Sequence, residues 1–331
     1  MKLCILHLGS EKTGTSSIQK YFSQHRAGVL AEGVWYPKAF TNPNGHVHIR
    51  LSDAAVQGTL EKNAPVAAEF REEIEARSRE ARACLFSSEF FHSELREKAQ
   101  VARLHAFLRG FFDEIRLVYY ARRQDHMLAS MHSTAVQGGW TTNRSALSVY
   151  ATKGHYYFDH NAVCDLWAGE FGREALSCRI FERDKLVGGD IVDDLRAAIG
   201  LPHDEEASRL SSNESLSFET ICVLLALNGS RHKDNKELRK RLIATGRQRG
   251  GKRVPMLTRD EAETFLARFE SSNAAFFARY VDPKLAAGFA PGFDSFPDAM
   301  PEPPPPEELL GFIFSKKAMK GSLPNTPTDK L

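Results

Sequence analysis

The chain opens on a short apolar run, LCILHL at residues 3–8, which reads as a buried strand. From Thr15 to about Leu30, the residues Ile18, Tyr21, Phe22, Val29 and Leu30 recur on one face and predict a helix. GVWYP at 33–37 predicts a second, short strand stopped by proline. Residues 65–82 are charged and read as helical, and ACLFSS at 83–88 is a third strand. Residues 95–112 are helical again, and EIRLVYYA at 114–121 is a strong strand. A helix over 124–137 follows, ended by Gly138 and Gly139, and LSCRIF at 176–181 supplies one more strand. Beyond it the pattern is helical: 190–199, 215–228, 233–245 and 258–280. Strands this far apart cannot pair as simple hairpins. The expected architecture is therefore α/β, a central parallel sheet with helices on both faces and a helical C-terminal half.

From about Pro283 the character changes to PEPPPPEELL and a polar end. The expected division is one domain over 1–282 and a proline-rich, mobile tail over 283–331. An apolar patch at 309–314 within the tail is suited to docking on the domain or on a partner. A net charge of +2 on 331 residues gives no global drive toward nucleic acid or membrane, so any anion site is local. The five cysteines are odd in number, widely spaced and without a CxxC pair. That pattern argues against a disulfide framework or zinc cluster, and for buried thiols in a reducing, cytoplasmic setting. No apolar stretch approaches the ~20 residues of a membrane helix, and the opening run is too short for a signal peptide.

Candidate chemistry starts directly after the first strand, in GSEKTGTSS at 9–17. A strand, a glycine loop and a helix start make an anion cradle from backbone N–H groups and the helix dipole. Gly14 gives the turn its freedom. Thr13, Thr15, Ser16 and Ser17 add hydroxyls, and Lys12 a positive charge. The bland alternative is a helix capped by Thr13 or Thr15 with Lys12 solvated. The nucleoside-triphosphate P-loop places its lysine after the second glycine, and here it comes before.

The order K-T-G-T-S resembles the 5′-phosphosulfate loop of sulfotransferases that use 3′-phosphoadenosine-5′-phosphosulfate (PAPS), the bacterial members above all. The family's second motif, for the 3′-phosphate, is a strand ending in Arg with a Ser eight residues later. RLVYYA at 116–121 leads into Arg122, and Ser130 stands eight residues on. YFDHNAVCDLWAGEFGREALSCRIFERDKL and SNESLSFETICVLLALN are also similar to phrases of that group. The likeness spans residues 1–281.

The resemblance implies a three-layer, P-loop-containing nucleotide hydrolase-like fold and PAPS as sulfuryl donor, with adenosine 3′,5′-bisphosphate as product. It implies no metal, and His46, His48 and His92 lack metal spacing. Lys12 would neutralise the leaving phosphate oxygen, while Thr15 and Ser16 hold the 5′-phosphate. Family members often close the nucleotide site with a late basic glycine loop. GRQRGGKR at 246–253, with Arg249 and Gly250, has that character loosely, and ends a basic stretch over 231–253 equally suited to an anionic acceptor. The base that takes the acceptor proton should lie where strands end: Glu89 first, then His48 or His92. For Glu89 the bland alternative is a carboxylate stabilising the next helix. His7 is assigned a structural role.

The acceptor class implied is a carbohydrate or small molecule, with no nucleic acid. Trp35, Tyr36, Phe90, Phe91 and Trp140 suit sugar stacking as well as a core. A nucleotide-dependent kinase and a non-catalytic nucleotide-binding module are the competing readings.

Overall fold

Apolar residues on both faces of a strand mark a sheet covered on two sides. The computed structural model describes residues 2–61, 64–77, 79–204, 216–305, 307–308 and 311. Its strands are β1 (Leu3–His7), β2 (Val34–Trp35), β3 (Ala83–Ser87), β4 (Glu114–Ala121) and β5 (Leu176–Ile180). They form one parallel sheet in the order β2-β3-β1-β4-β5.

The helices are α1 (Thr15–Gln24), α2 (Arg26–Ala31), α3 (Ile49–Gln57), α4 (Ala68–Arg77), α5 (Phe90–Glu94), α6 (Lys98–Arg109) and α7 (Gln124–Gly138). They continue as α8 (Leu147–Lys153), α9 (His160–Phe171), α10 (Ile191–Ala198), α11 (Phe218–Asn228), α12 (Lys236–Arg249), α13 (Arg259–Ala267) and α14 (Glu270–Tyr280).

The period of two sorts strand residues into two cores. Cys4, Leu6, Cys84, Phe86, Leu117, Tyr119 and Ala121 join one, with Leu104 and Phe107 of α6, Trp167 of α9 and Phe276 of α14. Ile5, Ala83, Leu85, Val118 and Tyr120 join the other, with Ile18 and Phe22 of α1 and Ile191 and Leu195 of α10. The fold class is the expected three-layer α/β arrangement. Trp35, Tyr36 and Phe91 are core residues, whereas Trp140 is 76% exposed. All five cysteines are buried free thiols.

Several boundaries depart from the pattern. The helix expected from Thr15 to Leu30 breaks at His25, whose backbone leaves helical geometry as its ring stacks on Tyr21. There Arg26 turns its guanidinium to the carbonyls of Ser23 and Tyr36. The helix expected from residue 95 starts only at Lys98, because Glu97 and Gln100 form a capping box. β2 keeps only two residues ahead of Pro37, which has no N–H for a ladder. The helices α3, α5, α8 and α9 lay outside the expected set.

Two units are distinguished: Met1–Met127, Lys153–Asn213 and Phe265–Gly292 make the first, and Leu128–Thr152, Glu214–Thr264 and Phe293–Leu331 the second. The first holds the whole sheet. In the second, α11 packs on α12 where Gly246 removes an obstacle, since a Cβ there would lie 2.4 Å from Thr220. Asn228 ends α11 and donates to the carbonyls of Val136 (3.0 Å) and Thr141 (2.7 Å). Arg239 of α12 donates to the Asn228 side chain at 2.7 Å. Of the apolar patch at 309–314, only Gly311 is among the described residues.

Candidate functional site

Strand register brings the site together. His7 at the end of β1 pairs with Ser87 of β3 and Val118 of β4. The loops after β1 and β3 therefore leave the sheet side by side, at the carboxyl edge where open α/β sheets hold ligands. β4 runs further, and the loop after β1 pairs with it. Tyr120 donates its N–H to the Gly9 carbonyl (2.7 Å), and Ser10 donates to the Tyr120 carbonyl from both its N–H (3.0 Å) and its hydroxyl (3.0 Å).

Gly9 has φ 94°, and a Cβ there would lie 3.2 Å from the Glu89 Cα, so the first loop touches the turn after β3. Gly14 has φ 75°, and a Cβ there would meet Ile191 of α10 at 2.9 Å. Between them Lys12 holds φ 68°. For a residue with a Cβ, that left-handed conformation costs about 1–2 kcal/mol. The Lys12 carbonyl accepts a hydrogen bond of 2.7 Å from Arg122 Nη1.

The loop's hydroxyls divide in use. Thr13 is buried and donates to the Ser10 carbonyl at 2.6 Å, bracing the turn. Thr15 and Ser17 are buried in the first turn of α1, and Ser16 is exposed. Gly14 is the N-cap, with no side-chain cap, so the reading of a helix capped by Thr13 or Thr15 is corrected. An N-terminus without a side-chain cap suits an anion.

Arg122 leaves β4 beside this loop, its guanidinium 5.5 Å over the Phe181 ring. Burial lowers its pKa to about 10, against the pull of Asp125. Its own carbonyl accepts from His160 Nε2 at 2.8 Å, and the Tyr119 hydroxyl donates to His160 Nδ1 at 2.7 Å. This network assigns the proton to Nε2. Burial lowers the His160 pKa to about 4, so the ring is neutral. The neighbouring Arg123 differs. Its guanidinium meets both Asp125 oxygens at 2.7–3.1 Å and the Ala290 carbonyl at 2.5 Å.

Lys12 and Glu89 face each other electrostatically. Burial lowers the Lys12 pKa, Arg122 adds to that, and Glu11 and Glu89 oppose it. Burial raises the Glu89 pKa and Glu11 adds to it, against a Gln19 hydrogen bond and the charge of Lys12. Gln19 Nε2 donates to Glu89 Oε2 at 2.5 Å. Glu89 is the N-cap of α5, and its side chain makes no capping hydrogen bond there. Glu11 is steadied by Lys153 at 3.9 Å and by the Tyr157 hydroxyl.

The histidines lie deeper. His48 is fully buried, Nδ1 accepting from the Ser87 N–H (3.1 Å) and Nε2 donating to the Pro37 carbonyl (3.1 Å). His92 is buried with Nε2 on the Tyr157 carbonyl at 3.0 Å. His7 is buried with Nδ1 on the Ser87 hydroxyl at 2.8 Å. Burial is the largest cause lowering all three to about 3.

Ser130 is half-buried on α7, and its carbonyl accepts from Thr134 at 3.2 Å. Arg249 ends α12 and Gly250 follows it with φ 68°; both are exposed and belong to the second unit. Among the described residues, no group of three or more His, Cys, Asp or Glu side chains could hold a metal, and no helix is long and apolar enough to cross a membrane.

Sequence reasoning missed Gln19, His160 and Tyr119. The signal for Gln19 was a long polar side chain in a helix start between Ile18 and Tyr21, and it is only 2% exposed. His160 and Tyr119 lie 41 residues apart and carried no local signal.

No protein-family model matches the chain. A stretch of 173 residues, 51% of this chain, is 25% identical to an uncharacterized protein of Archaeoglobus fulgidus and spans 46% of that relative's length. Among solved structures the chain is similar to a sulfotransferase from Alicyclobacillus acidocaldarius, at 15% identity and a TM-score of 0.37, covering 70% of this chain and 95% of that one. It is also similar to the sulfotransferase domain from the curacin biosynthetic pathway, at 11% identity and a TM-score of 0.33, covering 70% and 82% of the two chains.

Proposed function

We propose that this chain is a sulfotransferase that moves a sulfuryl group from PAPS to a hydroxyl or amine acceptor, a carbohydrate foremost. The observation that carries the reading is the bond from Arg122 to the Lys12 carbonyl. It joins the two motifs that a donor with a 5′-phosphosulfate and a 3′-phosphate requires. The α1 N-terminus, with Thr15, Ser16 and Ser17, suits the 5′ side, and Arg122, with Ser130 eight residues on in the sequence, suits the family's 3′-phosphate motif. The sulfotransferase region is taken as residues 1–282.

In this reaction the acceptor oxygen forms a bond to sulfur while the bond from sulfur to the 5′-phosphate oxygen breaks. Negative charge grows on that leaving oxygen. Lys12, held in place by its strained backbone, neutralises it, which is positioning and electrostatics rather than covalent work. Glu89 takes the acceptor proton. Its raised pKa makes it a stronger base than an exposed carboxylate, and Gln19 aims one of its oxygens. His48 has both ring nitrogens engaged by the backbone, and His92 is buried against Tyr157, so both serve the fold in this reading.

The test is transfer of radiolabel from PAPS to a panel of glycan, phenol and lipid acceptors, with Lys12→Ala as control. Labelled product that disappears in the variant supports the reading. Undiminished transfer by purified Lys12→Ala protein contradicts it.

A further inference from the structure

The second unit carries a charge concentration that the donor site does not use. Residues 231–253 hold ten Lys or Arg against two Asp or Glu, in a chain whose net charge is only +2. The rest of the chain therefore sums to a net acidic charge. Arg231, Lys233, Lys236, Lys240, Arg247 and Lys252 are all exposed.

Helix geometry organises these charges. At 100° per residue, Lys236, Lys240 and Arg247 of α12 fall within about 40° of one another, in a stripe about 16 Å long. Lys252 and Arg253 add two more exposed cations past the helix end. The first turn of α12 sets Lys236 beside Glu237, and Glu237 pairs with Lys240 at 3.1 Å on the exposed surface.

An exposed aromatic, Trp140, lies one residue beyond the point where α7 meets α12. A Cβ at Gly138 would lie 2.6 Å from the Trp140 ring, so the indole folds back over that glycine. A Cβ at Gly139 would lie 2.7 Å from the Arg239 guanidinium, which also binds the Val136 carbonyl at 3.3 Å. The two glycines let the indole and the Arg239 guanidinium of α12 each pack close at the end of α7.

We propose that α12, the 250–253 loop and Trp140 form a binding surface for an acidic polysaccharide, with cations on its carboxylates or sulfates and the indole on a sugar face. A single aromatic beside a continuous cationic stripe suits a sugar polymer better than nucleic acid, where several stacking aromatics interleave with the charges. The choice of polysaccharide also rests on the sulfotransfer reading, because sulfation of a glycan yields a polyanion.

The experiment measures binding of the full chain to heparin, to neutral dextran and to single-stranded DNA of matched charge, across about 0.05–0.2 M salt. Heparin binding that weakens steeply with salt, with none to dextran, is expected. The triple variant Lys236→Glu/Lys240→Glu/Arg247→Glu should lose about tenfold or more, and Trp140→Ala should weaken heparin but not DNA binding. Unchanged heparin affinity in the triple variant, or DNA binding tighter than heparin, overturns the proposal. Adenosine 3′,5′-bisphosphate binding, measured alongside, checks that the variants are folded. If the wild type binds heparin but not the bisphosphate, the surface stands and the sulfotransfer reading fails.

Discussion

Arg122 Nη1 stands 2.7 Å from the Lys12 carbonyl, so the residue proposed to grip the 3′-phosphate also fixes the loop proposed to hold the phosphosulfate. The carbonyl it holds belongs to the one loop residue that strains its backbone, at φ 68°. Arg122→Ala should therefore damage both halves of the site. Bisphosphate affinity should fall about 10²- to 10³-fold, the range for losing a charge-assisted contact to a buried partner. Arg123→Ala is the contrast. Its ion pair with Asp125 is buried, so the expected loss is of stability, about 3 kcal/mol, read by denaturant melts.

Glu89→Gln should lower kcat about 10²- to 10⁴-fold while leaving donor affinity near wild type. The pH profile checks the role. Glu89 must be ionised to accept a proton, and its pKa is raised, so activity should rise with pH through a limb above the usual carboxylate range. Gln19 stabilises the charged form, so Gln19→Leu should move that limb to still higher pH. An acidic limb that persists unchanged in Glu89→Gln would assign the base elsewhere.

His48→Ala should cost about 1–3 kcal/mol of stability by leaving the Ser87 N–H and the Pro37 carbonyl unpaired in the interior. Its folded fraction should keep wild-type kcat.

Acid sensitivity follows from the same buried rings. His7, His48 and His92 have folded pKa values of about 3 and His160 of about 4, below the ~6.5 of an unfolded chain. Between those values the unfolded state binds more protons, so stability is full above about pH 6.5 and falls progressively as pH drops toward 3. Urea midpoints across pH 4–8 should show this slope, and it should be shallower in His48→Gln.

The site was legible in sequence where local order carries it. K-T-G-T after a strand, and Arg122 at the end of RLVYYA, needed only adjacency and period. Glu89 was legible as the residue where a strand stops. What escaped depends on contacts across the sheet. The Tyr119–His160–Arg122 chain joins β4 to α9, and the Glu89–Gln19 bond joins β3 to α1. The histidines at 48 and 92 share the residue type of a base, and only their burial reveals how the backbone engages them. For the fold, all five strands could be read from the apolar runs, most plainly β1 and β3, where nearly every residue is buried. The break at His25 could not, because it is set by Arg26 reaching the Tyr36 carbonyl.

The most direct test of the paired donor site is calorimetric binding of adenosine 3′,5′-bisphosphate against adenosine 5′-phosphate, without magnesium, in wild type and Arg122→Ala. The account expects the bisphosphate to bind about 10²-fold tighter or more in wild type, and the difference to collapse in the variant. Equal affinity for the two ligands in wild type, or a preference that survives in Arg122→Ala, would contradict it.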